Sequence, residues 1–150
     1  MINGVIIKDL KKYEDERGYL METYRRDEVD LGVAMSYLSV TLPGIARGPH
    51  EHVYQTDYFI FPGGGDFKLY LWDRRKDSST YEEKLELIVG ESHPCTVIVP
   101  PGVVHGYKCV SDSPATSINF PDKLYKGVAK AEEVDEIRWE KDENSPYKID

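Results

Sequence analysis

Short runs of β-branched and aromatic residues, broken by Gly and Pro, dominate the chain. Residues 4–10 (GVIIKDL) are β-branched, and residues 18–25 (GYLMETYR) mix apolar and aromatic positions after an Arg-Gly turn. Residues 34–44 (AMSYLSVTLPG) are rich in strand formers and end at Pro-Gly. The stretch 58–73 (YFIFPGGGDFKLYLWD) reads as two strong strands around a glycine hinge, and 84–90 (KLELIVG) alternates as a strand with one buried face does. Residues 94–111 and 115–120 complete the series. Many short strands separated by turn residues predict an antiparallel barrel or jelly roll, all-β, in a single domain over 1–150. Helical spacing occurs only in 126–142, where Val128, Ala131, Val134 and Ile137 predict a short C-terminal helix or helical turn. The polar tail after Asp142 is expected to be peripheral.

The 150 residues suffice for a core without disulfide staples. A net charge of −8 argues against nucleic acid or an anionic membrane as partner, since either needs a basic face. It leaves room for a small phosphorylated ligand held by a local group of arginines. Cys95 and Cys109 match no ligand spacing and read as half-buried thiols. No run has transmembrane length and the N-terminus has no signal-peptide character, so a soluble, cytoplasmic domain is expected. The acidic run 131–144 (AEEVDEIRWEKDEN) reads as a solvated face. Gly63–Gly65 lacks the helix and Lys-Ser/Thr of a phosphate loop and reads as a hairpin turn.

The chemistry concentrates in GIARGPHEHVYQTDYFIF, residues 44–61. In an extended strand His50 and His52 face one way and Glu51 the other. A third histidine, His105, follows the Pro-Pro-Gly turn of PPGVVH. With Asp57, three imidazoles and a carboxylate would suit a divalent first-row ion with open positions. The same groups can equally hydrogen-bond one another and water in a polar barrel.

The spacing Gly44, five residues, His50, one residue, His52, four residues, Asp57, with Gly64 beyond, resembles the first cupin motif. Pro100–His105 resembles the second, Pro-x-Gly-x-x-His. A cupin jelly-roll barrel is the implied fold. Five further segments, in order, resemble the dTDP-4-dehydrorhamnose 3,5-epimerases: 15–28 (DERGYLMETYRRDE), GIARGPH, 69–81 (LYLWDRRKDSSTY), 97–112 (VIVPPGVVHGYKCVSD) and 134–142 (VDEIRWEKD).

The resemblance implies an isomerase-class enzyme without a cofactor that removes the proton beside the ketone of a nucleotide-linked, dTDP-type, 4-keto-6-deoxy sugar in deoxysugar or polysaccharide biosynthesis. A tuned base and an electrophile on the oxygen must act together for such a carbon acid to yield. His50 falls at the base position and His105 at a second site histidine. Arg17 and Arg47 fall where the family holds the nucleotide diphosphate, and Glu22, Gln55, Asn119 and Tyr107 are further substrate-binding candidates. Glu140, or else Asp73, is the candidate carboxylate partner of the base. A homodimer is implied as well.

Two departures stand out. Asp57 occupies the place of the enolate-stabilising lysine and Asn119 that of the acid tyrosine; Tyr54, Tyr58, Tyr107 and Tyr125 are substitutes for the acid. The Arg-Gly-x-His-x-His element also resembles sugar 3,4-ketoisomerases, in which His50 and His52 would shuttle protons as a pair. The same residues are compatible with a nucleotide-sugar-binding cupin without catalysis, and with a metal-dependent enzyme using His50, His52, Asp57 and His105 on a small substrate.

Overall fold

The computed structural model describes all 150 residues. The strands are β1 (Ile6–Asp9), β2 (Tyr13–Asp15), β3 (Gly18–Leu20), β4 (Tyr37–Thr41), β5 (Ala46–Glu51), β6 (Asp57–Gly63), β7 (Asp66–Asp73), β8 (Lys84–Gly90), β9 (Cys95–Val99), β10 (Val103–Cys109), β11 (Ala115–Asn119) and β12 (Ile137–Arg138). They form two five-stranded antiparallel sheets, ordered β1-β9-β6-β11-β4 and β12-β5-β10-β7-β8, with β2 and β3 making a separate hairpin. This is the expected cupin jelly roll. No helix is long and apolar enough to cross a membrane.

Alternation along the strands builds the barrel. Phe59 and Phe61 of β6, Phe67, Leu69 and Leu71 of β7, Val97 and Val99 of β9, and Val103 and Tyr107 of β10 share one core. Each such buried side chain contributes roughly 1.5–3 kcal/mol. The rings interlock at steep angles, Phe67 to Tyr107 at 4.9 Å and Phe59 to Tyr107 at 5.9 Å. Asp57 shares its face with Phe59 and Phe61, and His105 lies between Val103 and Tyr107 in the same alternation, so the apolar row turns polar at one end of the barrel.

Outward residues are covered by chain rather than helix. Met21, Tyr24, Val29 and Leu31 pack over Leu10, Tyr58 and Ile60, while Trp139, Tyr147 and Ile149 pack over Tyr70, Trp72 and Val104. The tail after Asp142 is therefore anchored, contrary to the expectation from its polarity, because two apolar residues outweigh their charged neighbours. The predicted C-terminal helix reduces to single 3-10 turns at Val128–Lys130 and Trp139–Lys141 around β12. Its spacing serves a segment that adds a strand to β5 instead. Of the run 18–25, only Gly18–Leu20 is strand. Gly63–Gly65 is the β6–β7 turn as expected, each glycine at positive φ.

Candidate active site

β5 and β10 pair so that His50 and His105 are direct cross-strand partners. Two glycines permit this approach. A Cβ on Gly48, whose φ is +79°, would lie 2.7 Å from the His105 carbonyl oxygen, and one on Gly106 would lie 2.8 Å from the Arg47 carbonyl oxygen. His52 follows β5 on the face of His50, with ring centroids 5.4 Å apart; His50 and His105 are 4.5 Å apart. Asp57 enters from β6 in the facing sheet.

Hydrogen bonds fix the orientation of each group. His105 Nδ1–H donates to the Val103 carbonyl at 3.0 Å, and His52 Nδ1–H to the Asp135 carbonyl. A ring nitrogen facing a carbonyl must carry its proton, so both Nε2 atoms are the acceptor ends of the neutral rings. Both lie 3.2 Å from Asp57 Oδ2. Asp57 Oδ1 accepts from Gln55 Nε2 at 2.8 Å and Asn119 Nδ2 at 2.7 Å. Oδ2 and His105 Nε2 are buried at ion-pair distance yet neither has an aligned hydrogen-bond partner. His52 Nε2 also meets Gln55 Nε2 at 3.1 Å, so the pair left without a donor is Asp57 Oδ2 and His105 Nε2. Two buried lone-pair atoms facing each other call for positive charge between them, a proton or a cation.

The protonation pattern follows. Burial, then the charges of His105 and His52, push His50 down to about 2, so it stands unprotonated at neutral pH. Burial also opposes charge on His52, but the Asp57 carboxylate 3.2 Å away outweighs it and raises the imidazole above its usual value. For Asp57 burial opposes the charge, but the close contacts of the His105 and His52 imidazoles outweigh it and hold the carboxyl well below the usual range. A free imidazole base thus stands beside a buried carboxylate–imidazolium group.

His50 opens into a cavity of about 450 Å³ whose walls include Tyr37, Arg47, Tyr107, Arg138 and Glu140. Arg47 is held by Nε donating to Thr41 Oγ1 at 2.8 Å and Nη2 donating to the Val40 carbonyl at 3.0 Å. A second cavity of about 430 Å³ is lined by His52, Tyr54 and Gln55; Tyr37 and Glu136 line both. On the reverse face Glu51 takes Arg74 Nε at 2.7 Å and Trp139 Nε1 at 3.1 Å, pinning the C-terminal segment behind the histidines.

Of the residues singled out from sequence, His50, His52, His105, Asp57, Gln55 and Asn119 come together, and Arg47, Tyr107 and Glu140 wall the same cavity. No hydrogen bond joins Glu140 to His50. Asp73 is elsewhere: it accepts from Arg75 Nε at 2.7 Å, Ser78 Oγ at 2.6 Å and Thr80 Oγ1 at 2.6 Å and ties a turn. Arg17 is exposed at the β2–β3 hairpin, paired with Asp15. Glu22 pairs with Arg25 at 3.1 Å in a separate surface group. The acidic run is not wholly a solvated face. Asp135 accepts the backbone N–H groups of Val53, Tyr54 and Gln55 at 2.9–3.0 Å, ordering the loop between His52 and Asp57. Tyr37, Asp135 and Arg138 are not apparent from sequence, because only strand pairing brings them to the site.

The donor set also suits a divalent cation. One ligand atom from each of His50, His52, Asp57 and His105 lies within 4.8 Å of the others, near the roughly 4.2 Å across an ion with bonds of about 2.1 Å. Backbone carbonyls hold Nδ1 of two of the rings, as is usual behind metal-bound imidazoles.

The family model for dTDP-4-dehydrorhamnose 3,5-epimerase matches residues 1–145. The probable low-salt glycan biosynthesis epimerase Agl13 of Haloferax volcanii is 36% identical over 127 residues, covering 83% of this chain and 81% of that protein. The spore coat polysaccharide biosynthesis protein SpsL of Bacillus subtilis is 36% identical over 126 residues, covering 83% of each. The crystal structure of a dTDP sugar isomerase from Desulfovibrio desulfuricans G20 superposes with a TM-score of 0.85 at 22% identity, over 98% of this chain and 91% of that one, which shows the shared fold. Epimerases of this kind work without a cofactor. The chain belongs to the dTDP-4-dehydrorhamnose 3,5-epimerase family and is an isomerase-class sugar epimerase of nucleotide-sugar or polysaccharide biosynthesis.

Proposed function

We propose that the substrate is a dTDP-linked 4-keto-6-deoxy sugar and that His50 removes the proton next to its ketone. The observation behind this reading is geometric: His50 stands in a cluster with His52, His105 and Asp57 and itself lines a cavity with Arg47. Proton abstraction leaves an enolate whose oxygen needs a positive partner. The family's lysine is replaced by Asp57, yet Asp57 does not leave bare negative charge in the site: it faces two imidazoles, and the positive charge it holds there offsets its own beside the enolate. Arg47, with Nη1 unengaged by protein, suits a diphosphate oxygen.

Arg17 and Glu22 line neither cavity of their own chain. In a cytoplasmic homodimer, the exposed hairpin would carry Arg17 to the diphosphate of a second copy. Leu38, Val40 and Leu42, on and just beyond the edge strand β4, are 51–61% exposed and offer an apolar surface for that pairing.

Proton NMR of the protein with dTDP-4-keto-6-deoxyglucose in D2O tests the reading. Deuterium entering the carbons beside the ketone is the expected result; a wild-type protein that exchanges none removes this substrate.

The unpartnered Asp57 Oδ2 and His105 Nε2 carry a second reading. A divalent ion held by His52, Asp57, His105 and His50 would supply a Lewis acid for the ketone oxygen. The two readings separate at His50, a base in one and a ligand in the other. Stoichiometric metal in purified protein would favour the second; full proton exchange by protein shown to be metal-free would exclude it.

A further inference from the structure

We propose that Tyr37 is the acid that returns a proton to the sugar carbon on the face opposite His50. The inference rests on the function proposed above, and four observations carry it.

The first is position. Inversion at a carbon needs a base on one face of the planar enolate and an acid on the other. His50 stands on β5 in one sheet, and Tyr37 on β4 in the facing sheet, and both line the 450 Å³ cavity. The second is register. Asn119, at the place of the family's acid tyrosine, is the direct cross-strand partner of Tyr37. A phenol is therefore present beside the expected place, supplied by the neighbouring strand.

The third is the direction of the hydroxyl proton. Asn119 Oδ1 accepts the Tyr58 backbone N–H at 3.1 Å, which leaves Nδ2 as its donor end. Nδ2 donates to Asp57 Oδ1 at 2.7 Å and to the Tyr37 oxygen at 3.0 Å. The Tyr37 oxygen is thus an acceptor in this contact, and its own O–H has no acceptor in the protein. That proton is free for a molecule in the cavity. Although the residue is 43% exposed, burial around the hydroxyl pushes its pKa above the usual phenol value, which keeps the proton in place at neutral pH.

The fourth is elimination. Tyr107 stands on β10 in the same sheet as His50, with its hydroxyl 3.1 Å from Ser117 Oγ in the core. Tyr58 donates its hydroxyl to the Thr23 carbonyl at 2.9 Å on the outer face. Tyr54 and Tyr125 line other cavities, not that of His50.

The step balances with water as the only other proton carrier. His50 takes the proton, and the C–H pair moves into the enolate. The enolate pair then takes the Tyr37 O–H proton at the opposite face as the ketone re-forms. The tyrosinate regains a proton from water, and the His50 imidazolium loses one to water.

Tyr37→Phe removes only the oxygen. The test follows deuterium wash-in and epimer formation together, by NMR in D2O with dTDP-4-keto-6-deoxyglucose, for the wild type and for a Tyr37→Phe protein of unchanged Tm. The expected result is wash-in within about tenfold of wild type while epimer formation falls on the order of 100-fold, the size of a lost general acid. Epimer formation at the wild-type rate overturns the inference. An equal loss of wash-in and inversion also overturns it, by making Tyr37 a positioning or binding residue. A wild type that shows no wash-in fails the functional reading itself, and the inference with it.

Discussion

Asp57 and Asp73 are both buried, 1% and 2% exposed, and both take several hydrogen bonds at strand ends of one barrel. Arg75, Ser78 and Thr80 satisfy both oxygens of Asp73, and although burial opposes its charge, those donors hold the carboxyl well below its usual range. Asp57 has one oxygen satisfied by two amides, while the other faces two imidazoles without an aligned bond. A fully paired carboxylate has no capacity left for chemistry and spends its interactions on holding a turn. A half-paired one beside a cavity keeps charge available to its neighbours. Incomplete hydrogen bonding together with the neighbouring imidazoles, rather than burial or acidity alone, marks the site, since Glu51 Oε2 on the reverse face is likewise buried and unpartnered.

The largest expected effect is at His50, the base beside the Asp57 group. His50→Asn should reduce proton exchange on the order of 10³-fold or more with the fold intact by circular dichroism; a fully active variant would remove His50 from the chemistry. Next come the two aspartates themselves. Asp57→Asn should lower turnover about 100-fold and cost less stability than the Asp73 change, since the amide has the carboxylate's shape and its N–H can meet a neutral imidazole Nε2. Asp73→Ala should cost about 2–4 kcal/mol in urea unfolding, by stranding Arg75 and two hydroxyls, while folded protein keeps its activity. The opposite split, stability lost at 57 and turnover at 73, would break the comparison.

Acid stability sharpens it further. His50 has its folded pKa lowered from 6.5 to about 2, so its contribution is present above pH 6.5 and is lost as pH falls below that. Asp57, lowered from 3.8, contributes above that pH and loses the contribution as pH falls below it; His52, raised from 6.5, contributes below 6.5 and loses it as pH rises through the higher folded value. Between pH 6.5 and about 4, His50 alone of the three works against the fold. Urea titrations of His50→Asn should therefore show a smaller loss over that range, by on the order of 2 kcal/mol near pH 4.5; an unchanged slope would mean His50 is not held neutral. The smallest effect is at the exposed hairpin, where Arg17→Ala should raise KM about tenfold and leave kcat alone. An unchanged KM would detach Arg17 from the substrate.

Local rules explain what can be read along the chain. Alternation in β8 shows a strand with one buried face, the short apolar runs of β6 and β10 show strands buried on both faces, and His-x-His reports a shared direction because the strand period is two. The motifs place His50, His52, Asp57 and His105 in one barrel mouth. The C-terminal spacing misleads because Val128, Ala131 and Ile137 stay exposed, and a period near three makes no helix when no face of it is buried. Asp73 reads as a partner for His50 because sequence shows that a carboxylate ends a strand but not which donors it meets.

Sequence alone therefore determined the all-β fold, the family and the four residues at the centre of the site, since each depends on spacing within a few neighbours. The folded chain alone shows that Asp57 is half-paired, that Asp73 is a tie, that Asp135 reaches back to order the loop at the histidines, and that Tyr37 of one sheet and His50 of the other line one cavity. Those facts depend on which strand lies beside which, and pairing across 82 residues, as between Tyr37 and Asn119, leaves no local trace in the order of amino acids.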